Sequence, residues 1–292
     1  MRPPPQRAGL DGTATGAARG AYGLRLAGLA GCDRLLVPAE KGWPLIRIRI
    51  VVTISPDTAV PVERLDGRTA LVRLRTGGWI EIDRADGVAV YYVQKGLSDD
   101  EIVHPFLAPV AIVASHWHGR ESIHGGAFAV DGTAWGLVGD RLGGKSSLLA
   151  AIAAHGADVL ADDLLVLEEL TAFAGPRTID LRQDAAEALG LGESIGRAGA
   201  RARWRLRLSV APQSAPVGGW IFLGWGDRVD IRRLRAAEAL ERLIGSRGIR
   251  ARPNEPEHFL QLSTLPAWEL RRPRSWSSLH QTVEELLSTV GG

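Results

Sequence analysis

Gly139-Asp140-Arg141-Leu142-Gly143-Gly144-Lys145-Ser146 lies between the apolar run Ala134-Trp135-Gly136-Leu137-Val138 and the run Ser147-Leu148-Leu149-Ala150-Ala151-Ile152-Ala153-Ala154. The first run suits a strand. The second consists of good helix formers closed by His155-Gly156, so the pattern G-x-x-x-x-G-K-S is expected at a strand-to-helix turn. Such a turn binds phosphate. Bare glycine amides can face the oxygens, the lysine reaches the terminal phosphates, and the serine hydroxyl is a ligand for Mg²⁺, all at a helix end whose dipole favours anions. Lys145 is one of only three lysines, with Lys41 and Lys95, in a chain that otherwise carries its positive charge on arginine. Gly139 through Ser146, together with Ser147, are the candidate nucleotide-binding residues.

After the helix, Ala157-Asp158-Val159-Leu160-Ala161 reads as a short strand ending in Asp162-Asp163, and Leu164-Leu165-Val166-Leu167 as a second apolar run. Two carboxylates at a strand end beside a phosphate loop suggest a division of labour. One can hold a metal or its waters while the other accepts a proton from an attacking hydroxyl. Upstream, Ile123-His124-Gly125-Gly126 places a histidine before the strand that would precede the phosphate-loop strand.

This order of His-Gly, strand, turn, strand, G-D-x-x-x-G-K-S, helix, glycine, strand and Asp-Asp resembles the HPr kinase/phosphorylase family. His124 precedes Gly139 by fifteen positions and Asp163 follows it by twenty-four, which is the family's spacing. The resemblance is close over about 119 to 169. It implies an α/β (α+β) fold with a P-loop catalytic core behind a β-rich N-terminal half, and an ATP- and Mg²⁺-dependent kinase acting on serine. By the same resemblance Asp163 is the general base, Lys145 contacts phosphate, Ser146 holds Mg²⁺, and His124 lies near the transferred phosphate; the pairing of the two acids makes Asp162 the candidate second holder of the metal. Self-association into a homo-oligomer is a further implication. Two departures stand out. Arg141-Leu142 replaces the family's Ser-Gly at the loop tip, and the later Glu-x-Arg-Gly segment is absent, Gly175-Pro176-Arg177-Thr178-Ile179-Asp180-Leu181-Arg182 being nearest to it.

Composition sets the outer bounds. At 292 residues, 45% hydrophobic and net charge +2, the chain has the length and apolar content for a sizeable core and no whole-molecule field for nucleic acid. Cys32 is the only cysteine, which excludes an internal disulfide and fits a reducing, cytoplasmic compartment. No apolar run reaches the length of a spanning helix, so no membrane partner is expected. Leu29-Ala30-Gly31-Cys32 mimics a lipoprotein cleavage box, but without an apolar segment before it, it reads as a turn.

Three regions follow: a disordered tail over 1–20, a β-rich segment over 21–98, and the catalytic domain over 99–292. Tyr22 to Leu26 and Leu45 to Val52 alternate as strands, and 70–75, 79–83 and 88–93 continue them as an antiparallel meander. Asp99-Asp100-Glu101 should open a helix to about Trp117, interrupted by Pro105 and Pro109. His104, His116 and His118 are expected to be structural, since no cysteine or carboxylate completes a zinc set with them. Arg177 or Arg182 could clamp phosphate, or fix the loop through a salt bridge. Arg201, Arg203, Arg205 and Arg207 share one strand face, which could receive an acidic peptide or a phosphate, or simply be solvated. Strands over 217–225 and 229–234 and helices over 236–245, 256–265 and 277–290 close the chain, with the basic Arg271 to Trp276 segment read as a docked surface. Three functions fit these residues: a serine or threonine kinase for a protein or peptide, a nucleotide-binding peptide-recognition module without phosphotransfer, and a kinase for a small-molecule alcohol.

Overall fold

Alternating side chains build the first sheet of this computed structural model, which describes residues 18–29, 31–53, 63–199, 201–209, 211–249, 253 and 255–291. Its strands are β1 (Arg19–Ala21), β2 (Leu24–Ala27), β3 (Val37–Pro38), β4 (Leu45–Val52), β5 (Arg64–Leu65), β6 (Thr69–Arg73), β7 (Trp79–Asp83) and β8 (Val88–Val93), paired in the order β3-β1-β2-β4-β8-β7-β6-β5. Along β4, Ile46 and Ile48 are buried while Arg47 and Arg49 are exposed, as a period of two requires. The expected meander holds from β5 to β8, but β4 runs parallel to both β2 and β8. The excursion through β5 to β7 carries the chain back before β8 is laid beside β4. Residues 1–17 of the expected tail lie outside the described residues, and Arg19 and Gly20 already belong to β1.

Tyr22 to Leu26 does not form one strand. Tyr22 and Gly23, with φ of 59° and 68°, make the tight turn of the β1–β2 hairpin. The helix expected from Asp99 also divides. Ser98 and Glu101 form a capping box on α1 (Asp99–Glu101), and then His104 turns extended (φ −152°, ψ 120°) ahead of Pro105, where the α conformation would clash with the ring. The helix resumes as α2 (Leu107–Trp117).

The second sheet contains β9 (Glu121–Ile123), β10 (Gly125–Val130), β11 (Thr133–Val138), β12 (Asp158–Ala161), β13 (Leu165–Glu168) and β14 (Thr171–Phe173). A smaller sheet, β15 (Thr178–Leu181), β16 (Glu193–Ala198) and β17 (Arg201–Arg207), has β17 in its middle. The chain then returns to the second sheet with β18 (Ser214–Trp225), β19 (Asp230–Arg233) and β20 (Ala267–Arg272), giving β12-β10-β11-β18-β14-β13-β9 with β20 beside β18 and β19 beside β20. β11, β18 and β20 are mutually parallel. β11 and the middle of β18 read as nearly continuous buried runs, as a strand covered on both faces does. Gly136 is needed there because a Cβ would stand 2.4 Å from the Trp220 ring. β20 was not expected as a strand: its two terminal arginines mask the pairing pattern.

The remaining helices are α3 (Lys145–Ala154), α4 (Gln183–Leu189), α5 (Ala236–Gly245), α6 (Pro256–Thr264) and α7 (Leu279–Val290). One buried cluster joins the first sheet, α2 and one side of the second sheet, and another packs α3, α4 and α7 on its other side. The architecture is mixed α/β, and no helix among the described residues is long and apolar enough to cross a membrane.

Candidate active site

The G-x-x-x-x-G-K-S stretch leaves the buried end of β11 and enters α3 at Lys145, with Gly144 in the left-handed region at φ 75° as N-cap. The amides of the first turn of α3 have no intrahelical partners, so they are available to an anion. Lys145 is buried, its Nζ donating to the carbonyls of Gly139 at 2.7 Å and Asp140 at 3.1 Å. A side chain folded back on its own loop in this way can be drawn out by a phosphate, which offers a charged acceptor in place of two neutral ones.

At the next residue, the Ser146 hydroxyl donates to Asp162 Oδ1 at 3.1 Å, joining α3 to the end of β12. Asp163 follows with φ 66°, a left-handed conformation costly for a side chain other than glycine. The two carboxylates titrate in opposite directions. Burial, and then the charge of Asp163, push Asp162 up to about 8. Burial also works to raise Asp163, but His104, His124, Arg203 and Lys145 hold it below the usual carboxylate range. Burial lowers both histidines, so near pH 7 the effective cations are Arg203 and Lys145. The pair keeps one proton on Asp162 and presents Asp163 ionised.

His124 sits between β9 and β10 and lines the same cleft as the loop and Asp163. The structure therefore brings together Lys145, Ser146, Asp162, Asp163 and His124, the residues singled out from the sequence. His116 and His118 lie at the far end of α2, outside the cleft. Arg177 takes neither role considered for it. It is buried and donates to main-chain carbonyls of Val159 (2.7 Å), Leu160 (3.4 Å) and Ser209 (2.7 Å), so it buckles β12 to the loop after β17.

The solvated reading of the β17 arginines is overturned for its centre, since Arg203 and Arg205 are buried inward around Asp180. Arg205 donates to Asp180 through Nε at 2.8 Å and Nη2 at 3.0 Å, Arg203 lies at 3.5 Å, and His104 Nε2, itself buried without a hydrogen-bond partner, at 3.8 Å. Arg205 also holds the kink before α2 through the carbonyl of His104 at 2.9 Å. Asp180, flanked by two buried apolar residues, looks like an ordinary polar break in a strand. Only the arginines two and four positions apart on β17 hint at what neutralises it.

The basic segment after β20 is likewise part of the site. Arg272 is buried, donates to the carbonyls of Gly143 and Gly144 at 3.2 Å each, and lies 4.5 Å over the exposed Trp225 ring. A Cβ at Gly144 would meet its guanidinium at 2.4 Å. Below the acid pair, the turn of the β1–β2 hairpin inserts Tyr22, whose amide donates to Ala174 O at 2.6 Å, while Arg120 donates to Gly23 O at 2.8 Å. Burial and then the charges of Asp163 and Asp162 raise the Tyr22 phenol well above its ordinary value.

The donor set suits a magnesium ion that arrives with phosphate oxygens. Ser146 and Asp162 already touch, while no group of three or more His, Cys, Asp or Glu among the described residues forms a protein-only cage. No family model and no curated protein matches the chain. Among solved structures it is similar to the Hpr(Ser) kinase/phosphatase from Coxiella burnetii, with 13% identity over 59% of this chain and 99% of that chain and a TM-score of 0.29. A likeness that weak establishes neither family nor activity.

Proposed function

We propose that the chain is an ATP- and Mg²⁺-dependent kinase that transfers the γ-phosphoryl group to a serine or threonine hydroxyl of a protein or peptide. The observation that carries this reading is the convergence of Lys145, Ser146 and the Asp162–Asp163 pair at one strand-loop-helix junction. Glycine amides and the first turn of α3 would cradle the phosphates, and Lys145 would leave the Gly139 and Asp140 carbonyls for them. Ser146 would hold Mg²⁺ together with Asp162, whose carboxyl would give up its proton on binding the metal, and the ion would offset charge on the transferring group.

Asp163 is a weak base, and the reaction asks for little more. In a loose phosphoryl-transfer transition state the acceptor proton leaves late, so an ionised carboxylate that orients the hydroxyl and then takes its proton suffices. The acceptor oxygen bonds to the γ-phosphorus, the bond to the bridging β,γ-oxygen breaks, ADP departs, and the proton ends on Asp163. The cations around Asp163 keep it free of that proton beforehand.

Incubation with γ-labelled ATP, Mg²⁺ and serine-containing peptides, comparing wild type with Asp163→Asn, tests this. Label transfer abolished in the variant supports both the activity and the base. Nucleotide binding with no transfer to any peptide or small alcohol would reject phosphotransfer in favour of a recognition module, and transfer to small alcohols alone would reassign the acceptor class.

A further inference from the structure

The cleft encloses about 720 Å³ between the phosphate loop, β17, the segment after β20 and the β6–β7 turn of the first sheet. Lys145, Arg203 and Arg272 are engaged by the loop carbonyls, Asp180 and the loop again. Arg75, Arg141, Arg182, Arg201 and Arg274 line the same cleft and make no ion pair among the described residues. Beyond Asp163 and Asp180, Asp184 is the one acid on the lining among the described residues. Arg201 records the crowding: burial, then the charges of Arg203, Arg182 and Arg141, push its pKa down, with Asp163 alone opposing.

A bound nucleotide would have its phosphates met by Lys145, the α3 N-terminus and the metal. Among the described residues, the five arginines named above would remain without an anion. Their placement matters as much as their number. Arg141, Arg182 and Arg201 crowd the Asp163 side, whereas Arg75 is exposed on a turn of another sheet across the opening. Cations divided between two walls match several negative charges along an extended chain better than one compact anion.

Building on the phosphotransfer reading, we propose that the acceptor is an acidic peptide segment, its hydroxyl delivered to Asp163 while flanking carboxylates are held by Arg141, Arg182 and Arg201 on one wall and Arg75 on the other. The test uses the full chain, Mg²⁺-ATP and three fluorescent serine peptides flanked by Asp/Glu, by Gln/Ala or by Lys, reading transfer and binding anisotropy separately. The acidic peptide is expected to lead the neutral one by about tenfold in kcat/KM, as several rim-type ion pairs together allow, and to lose the lead as salt rises. An Arg75→Glu/Arg201→Glu variant should favour the Lys-flanked peptide; Arg75→Glu alone, at an exposed turn, keeps the test readable if the double variant folds poorly.

Equal transfer to all three peptides, or a preference the variants leave unmoved, overturns the acidic acceptor and leaves the kinase standing. If no peptide is labelled but the acidic one binds tightest and the variants weaken it, the acceptor assignment holds and phosphotransfer is what fails. Binding without charge preference rejects both, and displacement of the acidic peptide by an RNA oligonucleotide at lower concentration would assign the surface to nucleic acid instead.

Discussion

Asp180 is a buried carboxylate and Asp163 a half-buried one; they share His104 and Arg203 as neighbours, yet their charges are offset in opposite ways. Asp180 gives both oxygens to Arg205 and one also to Arg203. Asp163 makes no ion pair among the described residues and depends on cations acting across the cleft. A buried charge whose oxygens are all claimed belongs to the architecture. A half-buried charge that is stabilised from a distance still has lone pairs for an incoming hydroxyl.

The sharpest way to break this contrast is to neutralise each acid in turn. Asp163→Asn should lower phosphoryl transfer by about 10²- to 10⁴-fold, the usual range for a positioned base, without loss of thermal stability. Asparagine tolerates the left-handed φ of 66° better than most side chains, so a destabilised variant would count against the division. Asp180→Asn should do the reverse, costing about 3–5 kcal/mol in urea unfolding because Arg203 and Arg205 are left buried without their counter-charge.

The acid pair adds a pH dependence. Asp162 is raised from an unfolded value near 3.8 to about 8, so its contribution is fully present below pH 3.8 and is lost as pH rises through about 8. Nucleotide-free protein should therefore lose stability on going from pH 6 to 9, and Asp162→Asn should flatten that slope in thermal melts across the range. The smallest expected effect is at the loop: Gly144→Ala should cost about 1–2 kcal/mol of backbone strain, and should weaken nucleotide binding because the new Cβ displaces Arg272.

The loop, the acid pair and His124 were legible because each chemistry needs particular residue types at fixed spacing along one strand-loop-helix path. The alternating strands were legible for a similar local reason. Asp180 with Arg205, and Arg272 on the loop, were not. Their partners stand 25 and about 128 positions away, and no local pattern says that a strand's arginines turn inward. The parallel pairing of β4 escaped notice because the alternation Leu45 to Val52 is the same whichever way its neighbours run.

The hairpin tip at Tyr22-Gly23 makes the two halves of the chain interdependent. A ring from the first sheet forms part of the floor beneath the acids, with Arg120 of the second half stacked on Phe173 and clasping Gly23. Excising the first sheet would leave the carboxylates without that floor, so the β-rich half is no detachable module. Tyr22 is thus where the first sheet reaches the acid pair.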